Sequence, residues 1–386
     1  MVNARYVEAF ENIKTPFYFY NMELLEQTLS NLIAEKSKYD NYIVHYAIKA
    51  NNNDKILKRI FNKGVGADCV SGNEVLHCIK HGLKGSKIAF AGVGKTDEEI
   101  RVALSNDIFS FNCESIPEIE VINDIAMAMG KVAPVAIRIN PDIDPKTHKY
   151  ITTGLKDNKF GINHQDFDEL SRKLRQLENI ELKGIHFHMG SQITDIDAFK
   201  NLSLKVNGIR EWFDNNDFHL EHINVGGGFG IDYHNPQQNP IPDFAAYFAT
   251  FNRNLHLHPN QHLHFELGRS VVGHCGSLIT KVLYKKIGID KKFLIVDAGM
   301  NDLARPSLYQ AYHKILALTP TVSEIEEYDV VGPICESADV FAENLNLPIC
   351  QRGDLLAILS AGAYGQTMSS TYNMRDLIRA IYSDDL

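Results

Sequence analysis

Lys49 closes an apolar run, residues 42–48, and is followed at once by Ala50-Asn51-Asn52-Asn53. A strand that ends in a lysine and breaks into an asparagine-rich turn sets an amine at the mouth of a parallel β-structure. Desolvated there, or placed near other cations, the amine loses its proton and attacks a carbonyl. A strand-end lysine snorkelling to solvent is the plain alternative, and distant segments weigh against it. The turn Gly226-Gly227-Gly228-Phe229-Gly230 lets backbone N–H groups converge on an anion, although tight turns use glycine anyway. In His186-Phe187-His188-Met189-Gly190-Ser191 the two imidazoles stand at i and i+2, on one face of a strand. A metal pair there has no acidic or cysteine ligand in the same segment. The other reading lays one imidazole flat on a planar cofactor, with Ser191 bonding its phosphate; for His186 a plain core role is preferred.

Glu266-Leu267-Gly268-Arg269 offers a carboxylate that is costly to bury unless a proton or cation meets it. Facing a pyridine nitrogen, Glu266 keeps that nitrogen protonated and makes the ring an electron sink; a surface pair with Arg269 is the alternative. Arg305-Pro306-Ser307-Leu308-Tyr309 carries a guanidinium suited to bidentate carboxylate binding. Gly332-Pro333-Ile334-Cys335-Glu336-Ser337 sets a thiol beside a carboxylate, a proton donor to a carbanion or a buried inert cysteine. Ala361-Gly362-Ala363-Tyr364-Gly365 puts a phenol on a small-residue turn, suited to a phosphate or substrate. Each signal is weak alone; together they point to pyridoxal 5'-phosphate.

These groups need elements to hold them. Short apolar runs rich in β-branched and aromatic residues recur at 42–48, 66–70, 87–91, 108–111, 134–139, 184–188, 222–225 and 262–266. Amphipathic stretches separate them, at 54–62, 71–81, 96–105, 115–129, 165–177, 196–215 and 243–256. Alternation of continuous apolar runs with helices means a parallel sheet covered on both faces. Eight repeats fit a (β/α)8 TIM-type barrel better than an open sheet, whose glycine-rich turn comes early rather than after the seventh run. In such a barrel function sits at the C-terminal strand ends, with phosphate sites commonly after strands seven and eight. The candidates fall at those places. After Arg269 strands are expected at 271–284, 292–297, 329–331 and 355–359, with helix only in the closing stretch 374–382. The strand-like segment 15–20 belongs at the barrel entrance or with these later strands. The expected domains are thus a barrel over 23–269 and a mainly β domain over 270–386, joined by 1–22.

At 386 residues, with 44% hydrophobic and 23% charged residues, the chain suits a two-domain globular protein. A net charge of −9 without a long basic run argues against a nucleic-acid partner. No stretch approaches the roughly 20 apolar residues that cross a bilayer, and Met1-Val2-Asn3-Ala4-Arg5 gives no secretory signal. Six scattered cysteines suit a reducing cytoplasm. The sixteen histidines form no HExxH motif, and no metal is expected.

With these residues assembled, the chain resembles the fold-type III (alanine racemase-like) pyridoxal phosphate-dependent decarboxylases, nearly end to end. The matching strings are 45–52, 140–162, 184–193, 224–230, 297–313, 332–341 and 361–365, and they are most similar to members acting on meso-2,6-diaminopimelate. The resemblance implies that Lys49 joins the cofactor aldehyde, that His188 stacks on the ring and that Glu266 holds the pyridinium. It gives the phosphate to Ser191, Gly226, Gly227, Gly228 and the backbone around Gly268. It assigns Arg269, Arg305, Tyr309, Glu336 and Tyr364 to the two ends of the substrate, with Arg269 and Tyr364 also on the cofactor. Cys335 would protonate the carbanion left by carbon dioxide, on a loop reaching the neighbouring subunit of a homodimer.

Relatives acting on ornithine, arginine or a carboxylated polyamine need no arginine clamp for a second carboxylate. A racemase would need a second base, usually a tyrosine, where this chain has Cys335. A non-catalytic pyridoxal phosphate carrier lacks the second domain, for which the roughly 115 residues after Arg269 suffice. One departure stands out: the family's proline between the glutamate and glycine of the eighth run is Leu267 here, which frees an N–H and loosens φ. Whether the loop at 146–159 closes over a substrate is not legible in the residues.

Overall fold

Strands buried on both faces have no solvated side, so they persist only inside a parallel sheet that helices cover. In the computed structural model, which describes residues 2, 4–143, 159–320 and 322–386, eight such strands close into a barrel. They are Tyr42–Ala47, Gly66–Cys69, Ile88–Phe90, Ser110–Cys113, Ala133–Arg138, Ile180–His186, His222–Asn224 and His262–Leu267. All neighbours are parallel, and the eighth strand returns to the first with Leu263 opposite Tyr42 and Leu267 opposite Tyr46. The expected (β/α)8 barrel is therefore present. Of the loop at 146–159, all but Lys159 lies outside the described residues.

The connecting helices start where local chemistry starts them. Ser71 accepts a hydrogen bond from the Glu74 N–H, Thr96 and Glu99 form a reciprocal capping box, and Ser115 accepts from Glu118 just ahead of a first-turn Pro117. Asp54–Asn62 buries Ile56, Leu57 and Ile60 against the barrel unit, each worth about 1.5–3 kcal/mol relative to exposure. One expectation shifts at the decisive residue. The first strand stops at Ala47, and Lys49 sits in the single 3-10 turn Ile48–Ala50, closed by the Asn51 N–H on the Ile48 carbonyl. Lys49 thus stands a turn beyond the strand rather than at its last position.

Residues 29–230 and 243–268 make up the barrel unit; 1–28, 231–242 and 269–386 make up the other. Residues 23–28, 231–242 and Arg269, counted with the barrel on sequence, group with the second unit. Its sheet runs in the order Ile315–Ala317, Leu355–Ile358, Gly276–Ile287, Lys292–Val296, Ile325–Val331, Val340–Pro348. Phe17–Tyr20 adds to Gly276–Ile287, and Ala380–Tyr382 adds in parallel to Phe17–Tyr20. The segment at 15–20 therefore belongs to this sheet.

Two local expectations fail here. Arg269–Val272 is a helical turn, so the strand expected from 271 begins only at Gly276. The closing stretch expected as helix ends in the strand Ala380–Tyr382, because Tyr18 donates its N–H to the Arg379 carbonyl at 3.0 Å; long-range pairing overrides a short segment's propensity. Val340–Pro348 escaped notice on sequence because it ends the strand order and carries exposed Glu343, Asn344 and Asn346. The unit's aromatic core includes Phe10, Phe17 and Phe19 packed with Ile279, Leu355 and Leu359.

Candidate active site

The barrel gathers one cluster of ionisable groups from four of its strands and the turn after its first. The Lys49 Nζ lies 2.9 Å from Oδ2 of Asp68, a residue of the second strand. The lysine side chain is about a third exposed, at 35%, whereas Asp68 is buried. Burial, reinforced by Glu266, pushes the Asp68 carboxyl up to about 6 against the pull of Lys49. Asp68 therefore takes up a proton far more readily than an ordinary carboxylate. Asp68 carries no motif, and nothing local in the sequence singled it out.

Glu266, on the eighth strand, is held from three sides. Its Oε1 accepts from Asn112 Nδ2 at 2.9 Å and from Asn224 Nδ2 at 2.8 Å, and its Oε2 accepts from His186 Nε2 at 2.9 Å. Burial opposes the charge, but His186, through its field and its hydrogen bond, and then the Lys49 ammonium outweigh it and hold the carboxyl well below its ordinary range. A carboxylate offers about four acceptor positions, and the barrel fills three. Glu266 and Arg269, weighed on sequence as a surface pair, are each buried, and Glu266 is turned into the barrel. His186, read as a plain core residue, is the partner that fixes this anion, and its Nδ1 has no hydrogen-bond partner.

The glycine turn after the seventh strand is dictated by close approach. Gly226 and Gly228 have φ of +69° and +91°. A Cβ on Gly226, Gly227 or Gly228 would fall 2.2, 1.9 or 2.4 Å from the carbonyl oxygens of Phe187, Glu266 and Gly190. No side chain fits any of the three positions. Their N–H groups are partly engaged already: Gly226 donates to Asn224 Oδ1 at 2.9 Å and Gly227 to His188 Nδ1 at 3.2 Å. The second bond fixes the His188 proton on Nε2. Burial, then the neighbouring Arg138 and Lys49 charges, lower its pKa well below the ordinary value, so His188 presents a neutral, flat ring. The loop bearing Ser191 is laced to the same turn, Ile193 donating to the Gly228 carbonyl at 2.8 Å and accepting from Gly230 at 2.9 Å. Gly268 is buried just after the eighth strand, and Leu267 keeps register with Tyr46.

The second unit gathers a cationic cluster of its own. Arg269 and Arg305, both buried, donate to the Tyr233 hydroxyl at 2.6 and 2.8 Å. Burial favours the neutral phenol, yet the two guanidiniums outweigh it and lower the Tyr233 pKa. Arg305 also bonds His313 Nε2 at 2.8 Å; His313 Nδ1–H donates to the Leu359 carbonyl at 2.8 Å, leaving Nε2 to accept. Burial and the Arg305 charge hold His313 down to about 3. The Arg269 guanidinium stacks 4.8 Å from the Tyr364 ring centroid, a tyrosine held at φ +55°. Tyr309 ends the short helix Arg305–Tyr309. Among the described residues Arg305 meets no carboxylate. Burial and the nearby Arg269 lower its pKa, a strain that an incoming carboxylate relieves. Tyr233 and His313 were missed on sequence, since neither stands in a motif.

Cys335 and Glu336 stand on an exposed loop of this unit rather than in the buried cluster. Asp339 pins the loop from within, accepting from Met300 and Ile334 N–H groups at 2.7 Å each. Glu336 accepts from the Tyr372 hydroxyl at 2.5 Å, and the Cys335 N–H donates to Asn373 at 3.4 Å. The thiol is exposed while the other five cysteines are buried, so the buried inert cysteine weighed on sequence is not what folds.

Residues 25–273 match the family model for the pyridoxal-dependent decarboxylases, pyridoxal binding domain. The chain is 53% identical over 380 residues to the diaminopimelate decarboxylase of Bacteroides thetaiotaomicron, covering 98% of each. It is 43% identical over 381 residues to that of Helicobacter pylori strain J99, covering 98% of this chain and 93% of the relative. The crystal structure of the Helicobacter pylori diaminopimelate decarboxylase complexed with L-lysine is similar with a TM-score of 0.92 at 40% identity, over 99% of this chain and 94% of that one. An arginine decarboxylase of Paramecium bursaria Chlorella virus, bound to agmatine, shares the fold alone: TM-score 0.87 at 22% identity, over 98% and 100%.

Proposed function

The chain belongs to the pyridoxal-dependent decarboxylases and, within them, to the diaminopimelate decarboxylases, and on that premise we propose how its residues divide the work. It is an enzyme that converts meso-2,6-diaminopimelate to L-lysine and carbon dioxide, the last step of lysine biosynthesis. The observation that carries the division of roles is Glu266, a buried anion with three fixed donors and about one acceptor position left. Such a group suits a pyridinium N–H and little else.

The barrel residues fit pyridoxal phosphate. Lys49 would hold it through its aldehyde carbon, Glu266 would meet the ring nitrogen, and neutral His188 would lie against the ring. Ser191, the Gly226–Gly228 turn and Gly268 would take the phosphate end, and Arg269 and Tyr364, of the second unit, are proposed to join them. Because Gly226 and Gly227 already donate within the protein, their contribution is room for the phosphate rather than hydrogen bonds. When bound, the cofactor supplies a conjugated, electron-poor ring that accepts the electron pair left as carbon dioxide departs.

The substrate carries an amino acid group at each end, so one end must be held while the other reacts. Arg269, Arg305, Tyr309 and Tyr364 hold the carboxylate of the unreacting end, and Glu336 its ammonium. Cys335 returns a proton to the α-carbon. Its exposure, on a loop that Asp339 keeps in shape, suits delivery to a second copy, and we assign a homodimer in which each copy completes the other's site. Among the described residues no helix is long and apolar enough to cross a membrane; a cytoplasmic enzyme without a nucleic-acid partner fits the acidic net charge of −9.

Carbon dioxide release tests the assignment, with pyridoxal phosphate added and meso-diaminopimelate, L-ornithine and L-arginine offered separately. Release from diaminopimelate alone, with L-lysine as product, is expected; release from ornithine or arginine would overturn the carboxylate role of Arg305. Cys335→Ala should retain cofactor and lose about 10²-fold or more in turnover, the usual worth of a positioned proton donor. Full activity in that variant would remove Cys335 from the chemistry.

A further inference from the structure

Outside the residues assigned above, one group of side chains among the described residues has the make-up of a metal site. Asp54 opens the helix Asp54–Asn62. His77 lies in the last turn of the helix Gly72–Lys80, and His81 is its C-cap, one turn further on. Both Nε2 atoms lie close to one atom, Asp54 Oδ1: His81 is hydrogen-bonded to it at 3.1 Å and His77 lies 3.5 Å away. The two rings meet edge to face, 4.7 Å apart at 75°. The His77 Nε2 is also 3.1 Å from the Asn52 carbonyl oxygen.

Stability does not account for this convergence. Asp54 is 68% exposed, so water can serve its oxygens, and exposed ion pairs contribute little. The spacing has another meaning. Zinc-class ions bind imidazole and carboxylate at about 2.0–2.1 Å in a tetrahedron, whose ligand atoms then lie roughly 3.3 Å apart. The two N···O distances bracket that edge, and every pair of the three ligand atoms lies within 4.8 Å. The partly exposed histidine side chains have room to close the remaining edge. Two imidazoles and one carboxylate form a donor set that suits zinc, cobalt or nickel rather than calcium or magnesium. The Asn52 carbonyl or a water supplies a further ligand.

We propose that Asp54, His77 and His81 form a binding site for one divalent transition-metal ion of the zinc class. The ion fastens the start of one helix to the end of the next and restrains the turn at 51–53 that leads out of Lys49. It takes no part in the decarboxylation, so the site stands or falls independently of the catalytic assignment. The spacing of His77 and His81 is visible in the sequence, but the carboxylate arrives from a different helix, which is why no motif announced it.

The test uses the full-length holoenzyme, treated with a chelator and then titrated with Co2+ by visible absorption and with Zn2+ against a chromophoric chelator. One ion per chain is expected, with the visible bands of four-coordinate cobalt. Zn2+ should raise the thermal unfolding midpoint, since it binds the folded chain. His77→Ala and His81→Ala should each weaken binding by about tenfold or more, given that even outer partners of metal ligands are worth that much. Asp54→Asn keeps the hydrogen-bonding shape while removing the anionic ligand, and should weaken binding similarly. Cys335→Ser should leave the stoichiometry unchanged, which separates the site from the exposed thiol. Absence of saturable binding at micromolar ion, binding that survives both histidine substitutions, or binding lost in Cys335→Ser would overturn the proposal.

Discussion

Lys49→Ala will abolish the absorbance of lysine-linked cofactor and lower turnover by about 10³-fold or more, a loss of roughly 4 kcal/mol of transition-state stabilisation. The amine stands in a single turn beyond the first barrel strand, 2.9 Å from Asp68. No other lysine shares this cluster among the described residues, so a substitute amine must come from solution. Added small primary amines should restore part of the rate. The fold should survive. Lys49 is about a third exposed, and Asp68, already at about 6 beside the ammonium, takes up a proton when the ammonium is removed.

The sign of the stability change follows from that. A carboxyl raised above its unfolded value of roughly 3.9 favours the folded state fully below that pH and loses this contribution as pH rises through its folded value. In the native chain the window closes near 6. In the variant it extends higher, so thermal unfolding should show stability falling further between pH 6 and 8 than in the native protein. Retained lysine-type cofactor absorbance in the variant would refute the assignment.

Glu266→Gln is the second large effect. Glutamine keeps the volume, and its oxygen can still accept from Asn112 and Asn224. Its amide would then oppose the His186 Nε2–H, two donors face to face. His186 has an escape, because its Nδ1 has no partner and can carry the proton, turning Nε2 into an acceptor. The variant should therefore fold and bind cofactor through Lys49. What it lacks is the fixed negative charge proposed to meet the ring nitrogen, and turnover should fall by about 10²–10³-fold, the scale of losing one preorganised electrostatic partner.

Acid stability gives an independent check. Glu266 is held well below its ordinary range, so its contribution is present above the unfolded carboxyl value and fades as pH falls toward the folded one. The variant lacks that contribution and should lose less stability on acidification. Turnover close to that of the native enzyme would show that the charge is not needed.

How far the residues announced this site depends on how far apart its members lie along the chain. Lys49, His188 and the glycine turn were legible because each sits where a strand gives way to a loop, and strand period and glycine content mark such places. The partners of Glu266 were not. Asn112 is separated from it by 154 positions and His186 by 80, and only barrel closure makes them neighbours. Asp68 was hidden for the same reason. Tyr233 and His313 belong to no motif, and Tyr233 lies in a short segment that groups with the second unit rather than the barrel that precedes it. The strand Ala380–Tyr382 is three residues long, too short for a periodic signal, and exists because Phe17–Tyr20 offers it an edge.

The burial of Arg269 and Arg305 against a phenol has a consequence for how substrates are told apart. Stripping water from two guanidiniums is completed when the chain folds, so an arriving carboxylate does not meet that cost again. Charges held out of solvent are also screened little by salt. On the role proposed for Arg269 and Arg305, preference for a substrate with a second carboxylate is then built into the folded chain as a standing electric field, and ionic strength has little purchase on it.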